Sequence, residues 1–464
     1  MKPLFVDITR RSFALVVCEM VLIVIAVSLG AWLRLGGDAL NLLLVEGGLP
    51  KALLIAVACQ VCLYYADLYE LRVPTNRREL FVGIVQALSA TSFLLAAIYF
   101  LLPGLIIGQG VFVVSSFLVL IVVGGWRLAF EWLTQRTGPH ERLLFVGTGP
   151  AAVGLARELF TRRQELGIEI VGFIDPDPAR VGAPVINPGV IGTIEDIPSI
   201  VRARGVDRVV VSLGDARGKL PMDKLLEMKL DGVTFDHLAS AYEELTGKIA
   251  VENLRPSWLI FSAGFRKGRL LRSTKRLLDI AAALVGLVLA FPLMLAVFAV
   301  VKLTSVGPAL YRQQRVGLHG RIFTVYKFRS MRQDAEAGTG AVWSRKNDDR
   351  VTSVGRFLRR TRLDELPQIW NILVGDMSLV GPRPERPEFV KQLTGQIPFY
   401  GQRHVIRPGL TGWAQVRYSY GSSVEDATEK LQYDLFYIKN LSIPFDLFII
   451  VSTIKTVVMR KGAV

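Results

Sequence analysis

The sequence predicts a membrane α-helical bundle, then a Rossmann-like α/β domain, then a second α/β domain held at the membrane by an apolar helical hairpin. Three observations predict this. Four apolar runs of about the 20 residues that cross a bilayer core come first, roughly 12–33, 49–69, 80–102 and 107–130. From about residue 141 the pattern changes to alternating strand-like and helix-like stretches. A fifth apolar run, 277–303, carries Pro292 near its middle and basic residues on both flanks.

Composition agrees with a membrane class. Of 464 residues, 51% are hydrophobic, and the mean hydropathy is +0.39. The net charge of +15 fits anionic lipid headgroups and phosphorylated substrates better than nucleic acid, given so much apolar chain. Cys18, Cys59 and Cys62 all lie in apolar runs. No further ligands stand near Cys59 and Cys62, so these thiols read as helix packing rather than a metal site or disulfide framework.

The first run is too long for a secretory signal and lacks a cleavage pattern. Basic residues set the orientation of the four runs. Lys2, Arg10 and Arg11 precede the first, Arg72, Arg77 and Arg78 join the second to the third, and Arg127, Arg136 and Arg142 follow or end the fourth. The other side offers only Arg34 and Lys51. Positive residues stay cytoplasmic, so both ends of the bundle face the cytoplasm. Glu19 falls inside the first run, where a carboxylate is a functional candidate by default; the alternative is a local partner or an outlet to the inner surface.

The middle stretch begins with "RLLFVGTGP" and "AAVGLARELF", a strand, a glycine-rich turn and a helix. "IEIVGFI" (168–174) and "VDRVVVSL" (206–213) supply further strands. Strands alternating with helices form a parallel sheet. Gly147, Gly149 and Ala152 loosely match a phosphate-binding fingerprint. Pro150 removes one N–H from that loop, and Asp175 stands later than the usual ribose-binding acid. The alternative is a structural or regulatory domain.

Around 277–303 stand Arg266, Lys267, Arg269, Arg272, Lys275 and Arg276 on one side, and Lys302, Arg312, Arg315 and Arg321 on the other. Two basic flanks both favour the cytoplasm. A kinked, re-entrant hairpin turning at Pro292 satisfies both; a straight crossing does not. The third domain is then monotopic, and Asp279 lies at headgroup level. The expected boundaries are 1–138, 139–262 and 263–464.

The chemistry concentrates between 307 and 413. "GPALYRQQRVGLHGRIFTVYKFRSM" leads to "SRKNDDRVTSVGRFLRRTRLDELPQIWNILVGDMSLVGPRPE" and then "RPGLTGWAQV". Arg356, Arg359, Arg360 and Arg362 crowd before Asp364 and Glu365. Guanidinium groups bind phosphate through paired hydrogen bonds and keep a neighbouring carboxylate ionised. Two adjacent carboxylates at a helix start diverge by about 100°, so one can attack while the other handles a metal or proton. Asp348, Asp349 and Asp376 are further candidates around a divalent cation. Arg383, between two prolines, sits on a rigid turn.

These stretches, with "KRLLDI" and Pro292, resemble the bacterial sugar transferases, the polyprenyl-phosphate glycosyl-1-phosphate transferases. The resemblance covers about 272–464 closely. The front of the chain resembles the larger members that initiate exopolysaccharide, capsule or O-antigen synthesis. It implies transfer of a hexose-1-phosphate from a UDP-sugar to undecaprenyl phosphate, with release of UMP. It implies Asp364 as nucleophile and metal-holding residue, Glu365 as its partner, and Mg²⁺ (or Mn²⁺) as cofactor. Lys327, Arg329, Arg359, Arg383 and Arg407 become candidate substrate-binding residues, and Pro292 the kink of the re-entrant hairpin. It also implies a bacterial inner-membrane location with the catalytic domain facing the cytoplasm, and it makes a homodimer a candidate state. A nucleotide-sugar dehydratase or epimerase is the rival enzyme, but it needs Tyr-x-x-x-Lys, which this chain lacks. A non-catalytic membrane scaffold has no need of Asp364 and Glu365 amid arginines.

Overall fold

The computed structural model describes residues 10–66, 68–69, 77–108, 110–136, 141–212, 221–251, 262, 264–333, 335, 348–418, 421 and 423–458. Lys2, Arg72, Leu213 and 344–347, used above, lie outside the described residues. Two compact units meet at residues 238 and 239.

The first unit begins with the apolar helices α1 (Arg10–Leu35), α3 (Gly48–Tyr65), α4 (Arg77–Leu101) and α5 (Val111–Arg136). A short helix, α2 (Ala39–Leu44), follows α1. Each long helix is apolar and long enough to cross a membrane. Their buried faces carry small and β-branched residues such as Ala26, Val27, Ala56 and Val123. Helices in lipid gain from close packing rather than from water exclusion, and small residues permit that approach. Glu19 has its partners: Arg127 Nε at 2.7 Å and Tyr69 Oη, which donates at 2.7 Å. Glu19 is wholly buried, and Arg127 nearly so.

The expected alternation forms a five-stranded parallel sheet in the order β3-β2-β1-β4-β5. Its strands are β1 (Glu141–Val146), β2 (Ile168–Ile174), β3 (Val190–Gly192), β4 (Arg208–Val211) and β5 (Thr234–His237). Helices α6 (Pro150–Thr161), α7 (Arg163–Leu166), α8 (Ile197–Arg204) and α9 (Met222–Leu230) connect them. The inner strands are apolar on both faces, as a covered parallel sheet requires.

The strand, glycine-rich turn and helix read from the sequence are present as β1, residues 147–149 and α6. Asp175 directly follows β2, and the Thr148 hydroxyl of the turn donates to it. The Asp175 carboxylate also accepts from Arg180 at 3.1 Å and from the Asp177 N–H at 3.0 Å.

The second unit starts in the first turn of α10 (Leu238–Thr246), earlier than the 262/263 boundary drawn from sequence. Tyr242 donates to Gln432 at 3.1 Å, and the Trp413 indole donates to the Gly247 carbonyl at 3.0 Å. Lys248 pairs with Glu429 at 2.6 Å. These residues belong physically to the last body, although their composition resembles that of the sheet domain.

The run expected as a kinked hairpin is recorded as one helix, α11 (Arg269–Thr304), with Pro292 in its interior. It exceeds the predicted 277–303 at the N-terminal end because the basic flank is helical too. Arg276 caps the C-terminal end of the helix Gln368–Val374: its guanidinium donates to the carbonyls of Ile372 and Leu373 at 2.6 and 2.8 Å. After α11 comes an antiparallel hairpin, β6 (Leu310–Val316) and β7 (Ile322–Phe328). Helices α12 (Ser353–Arg360), α13 (Gln368–Val374) and α14 (Pro387–Gln396) follow. The parallel pair β8 (Ser378–Val380) and β9 (Gly409–Thr411) lies among them. Helices α15 (Trp413–Arg417), α16 (Val424–Asn440) and α17 (Ile443–Val458) close the chain.

Candidate active site

Helix α12 brings the first arginines into place. Thr352 caps it, accepting from the Gly355 N–H at 2.9 Å. Gly355 lies so close to the Ser330 carbonyl that a Cβ there would sit 1.9 Å from it; only glycine permits this approach. The contact sets α12 against the end of β7, and Arg359 Nε donates to Ser330 Oγ at 2.9 Å.

The chain then turns sharply. Arg362 is left-handed, with φ of 59°, a conformation that costs a non-glycine residue about 1–2 kcal/mol. Such local strain is often found at functional sites. The turn delivers Leu363–Glu365 as a single 3₁₀ turn, not the α-helix start expected from sequence. Asp364 and Glu365 are both buried, 7% and 9% exposed.

Their environments differ. Glu365 Oε1 accepts from Lys327 Nζ at 3.2 Å and from Arg383 Nη2 at 2.8 Å. Arg362 Nη1 lies 3.9 Å from Oε2. Burial opposes ionisation of Glu365, but Arg383, Lys327 and Arg362 outweigh it and hold the carboxyl below the ordinary glutamate range. Asp364 Oδ1 is buried with no hydrogen-bond partner. Burial, and then the charge of Glu365, raise the Asp364 carboxyl above its ordinary value; Lys327, Arg359 and Arg383 only partly offset this. The expectation that arginines hold the Asp364 carboxyl low is therefore corrected in direction: burial and the Glu365 charge outweigh them. The cations settle on Glu365, because that is the carboxylate the turn directs toward β7 and Arg383. Burial lowers the Lys327 ammonium, and Glu365 opposes that effect.

Arg383 reaches the dyad through β8 and β9. The Gly381 N–H donates to Thr411 at 2.9 Å, and the Gly409 N–H donates to Pro382 at 2.9 Å. These bonds pin the turn that carries Arg383 between its prolines. Its other nitrogen, Nη1, donates to Gln415 at 2.8 Å. Gln415 was missed as a site residue, although it lies inside the motif "RPGLTGWAQV"; its one signal was its place there.

Lys327, Arg362 and Arg383 thus converge on Glu365. Other candidates sit apart from it. Arg329 Nη2 donates to the carbonyl and hydroxyl of Ser305, at 2.8 and 2.6 Å. Arg407 Nε donates to the Gly375 carbonyl at 2.8 Å. Asp348 pairs with Arg350, which holds its carboxyl down at about 2. Among the described residues, no group of three or more His, Cys, Asp or Glu could enclose a metal ion.

Comparison with known proteins gives a consistent picture. The profile described as bacterial sugar transferase matches residues 270–460, and one described as CoA-binding domain matches 65–220. An N-acetylgalactosaminephosphotransferase acting on UDP-N-acetylgalactosamine and undecaprenyl phosphate, from Aeromonas hydrophila, is 44% identical over 232 residues. That match covers 49% of this chain and 53% of the relative. Two UDP-glucose:undecaprenyl-phosphate glucose-1-phosphate transferases match at greater length. The one from Xanthomonas campestris pv. campestris is 36% identical over 70% of this chain and 68% of its own. The one from Escherichia coli (strain K12) is 34% identical over 73% and 72%.

Proposed function

Because the chain belongs to the bacterial sugar transferase family, we propose that it moves a sugar-1-phosphate from a UDP-sugar to undecaprenyl phosphate. The products are UMP and a diphosphate-linked lipid sugar. The observation that carries this reading is the asymmetric dyad: Glu365 is saturated with cations, while the adjacent Asp364 keeps a buried oxygen without a partner.

Asp364 is the nucleophile in this reading. Its carboxylate attacks the phosphorus next to the sugar. The bond from that phosphorus to the UMP oxygen breaks, and UMP leaves with the electron pair. A phosphosugar-aspartate remains. An oxygen of the lipid phosphate then attacks the same phosphorus, and the Asp364 carboxylate leaves. Arg383 and Lys327, anchored by Glu365, supply positive charge at the place where the diphosphate gains negative charge, and preorganised charge of this kind lowers the barrier. Glu365 thereby organises the cations rather than accepting a proton. Arg359, in the last turn of α12 and felt electrostatically by Asp364, is a further phosphate ligand in this reading; Arg329 and Arg407 stand as outer candidates.

Magnesium (or manganese) fits the donor chemistry. Mg²⁺ is commonly held by one or two carboxylates together with substrate phosphates, and Asp364 offers the unpartnered carboxylate oxygen. The ion would neutralise the diphosphate.

A re-entrant α11 is part of the proposal. Ala283, Leu287 and Ala290 pack with Ile369, Ile372 and Met377, before Pro292. Met294, Val297 and Val301 pack with Phe328 and Leu358, after it. Leu366 touches both groups. An α/β body lies on one side of a bilayer, so the two ends of α11 belong on that side, and the proline is a natural place for a bend. Leu284, Val285, Val288, Leu289 and Phe291 remain exposed and suit contact with acyl chains. The cytoplasmic side follows from the donor, since nucleotide sugars are cytoplasmic substrates.

The test is UMP release by the full chain in detergent or lipid. The panel is UDP-glucose, UDP-galactose and UDP-N-acetylgalactosamine, each with and without undecaprenyl phosphate. Sustained release with at least one donor, dependent on the lipid, supports the reading. No release with any UDP-sugar contradicts it.

A further inference from the structure

Behind the turn that carries Arg383 lies a buried ion pair that does not contact the dyad. Arg403, in the 3₁₀ segment Tyr400–Val405, and Asp434, in α16, are 6% and 2% exposed. Arg403 Nη2 lies 2.8 Å from Asp434 Oδ2. The same nitrogen donates to the main-chain carbonyl of Arg383 at 3.0 Å. Arg403 Nη1 donates to the Tyr400 hydroxyl at 2.6 Å, and the guanidinium stands 5.1 Å from that ring.

Stability alone explains this pair poorly. Desolvating two charges costs several kcal/mol per ion, and an apolar pair of similar volume often packs as well or better. The geometry offers another reason. Pro382 and Pro384 have no N–H, so the main chain around Arg383 is anchored through its carbonyls: the Gly409 N–H donates to Pro382 at 2.9 Å, Arg315 Nη1 to Pro384 at 3.0 Å and Arg403 Nη2 to Arg383 itself. A planar guanidinium can serve a carbonyl, a carboxylate and a hydroxyl at fixed angles, which an ammonium cannot.

We propose that Arg403, fixed by Asp434, is a positioning residue for the transfer reaction. It holds the main chain of Arg383 so that the Arg383 guanidinium stays bridged between Glu365 and Gln415. The inference rests on the functional reading above.

The experiment is a double-mutant cycle on the full chain, read as steady-state UMP release with UDP-sugar and undecaprenyl phosphate. Arg403→Lys should lower kcat roughly tenfold, about the size of a coupling between residues in one hydrogen-bonded network, while the donor KM moves little. In an Arg383→Ala background the same substitution should change kcat by less than about twofold, since the group being positioned is gone. Should Arg403→Lys fail to fold, Asp434→Asn serves in the same cycle, because it keeps the shape and removes the charge. Equal fold-losses in both backgrounds would mark a merely structural role and overturn the inference. So would a wild-type kcat for Arg403→Lys. If Arg383→Ala itself leaves UMP release unchanged, the reading of the site fails and the inference falls with it.

Discussion

Glutamine at position 365 keeps the side chain's volume and removes its charge. Lys327 Nζ at 3.2 Å and Arg383 Nη2 at 2.8 Å then lose their shared anion. Removing one partner of a buried ion pair costs about 3–5 kcal/mol. Part of that returns through Asp364, which is held up by burial and by the Glu365 charge. With that charge gone, Lys327, Arg359 and Arg383 act on Asp364 alone and draw its pKa down. A net loss of about 2–3 kcal/mol remains, or roughly 5–10 °C in thermal midpoint for a body of this size. The folded pKa of Glu365 lies below its unfolded value. Its stabilisation is therefore fully present above the unfolded value of about 4.3 and is lost only as pH falls through the folded value. The Glu365 contribution to the gap between wild type and Glu365→Gln should accordingly be flat around neutral pH and shrink only in acid. The pH profile of kcat/KM for UMP release gives the sharper test, because it reports ionisations of the free enzyme and donor. Wild type needs an ionised Asp364 whose pKa is raised, so its rate climbs through an acidic limb above the ordinary aspartate range. In Glu365→Gln the plateau falls and the limb moves to lower pH. A limb that stays in place or moves to higher pH would refute the account of the dyad.

Three further outcomes follow from the packing. Cysteines placed near 270 and 310 should label from the same side of the membrane in intact vesicles; labelling from opposite sides would make α11 a full crossing. A fragment starting at 239 should retain transfer in detergent, whereas one starting at 272 should be less stable. The shorter fragment leaves the Trp413 indole without the Gly247 carbonyl, and an unsatisfied buried donor costs about 1–3 kcal/mol; thermal unfolding of the two fragments checks this. In the bundle, Arg127→Met should lower stability by about 3–5 kcal/mol by leaving the Glu19 charge buried with only the Tyr69 hydroxyl as partner among the described residues. Adding Glu19→Leu should restore much of that loss, measured as thermal unfolding of the full chain in detergent.

The membrane helices were legible because their signal is local: an apolar run of sufficient length needs no partner to be recognised. The dyad was legible because its residues lie together within one motif. Which carboxylate would take the cations was not. That depends on a left-handed Arg362, on Lys327 from a strand 38 residues away, and on Arg383 18 residues further along. Counting basic flanks also hid a distinction. Arg276 and Lys275 counted as part of a basic flank favouring the cytoplasm, yet Arg276 caps α13 and Lys275 pairs with Asp446 at 2.6 Å. Asp434 and Arg403 carried no signal in the sequence, because a buried charge looks the same there as an exposed one. The 238/239 division was likewise hidden, since Tyr242, Gly247 and Lys248 find their partners only in the final 60 residues.

The central claim is that the sugar phosphate passes through Asp364. The direct measurement uses UDP-sugar carrying ³²P in the phosphate next to the sugar, incubated with the full chain and no lipid acceptor. The trapped protein is then digested and the label mapped by mass spectrometry. The account predicts label on Asp364, its absence in Asp364→Asn, and its discharge when undecaprenyl phosphate is added. Protein that never acquires label, in a preparation that transfers normally once lipid is present, would contradict the account. It would mean that the lipid phosphate attacks the donor directly.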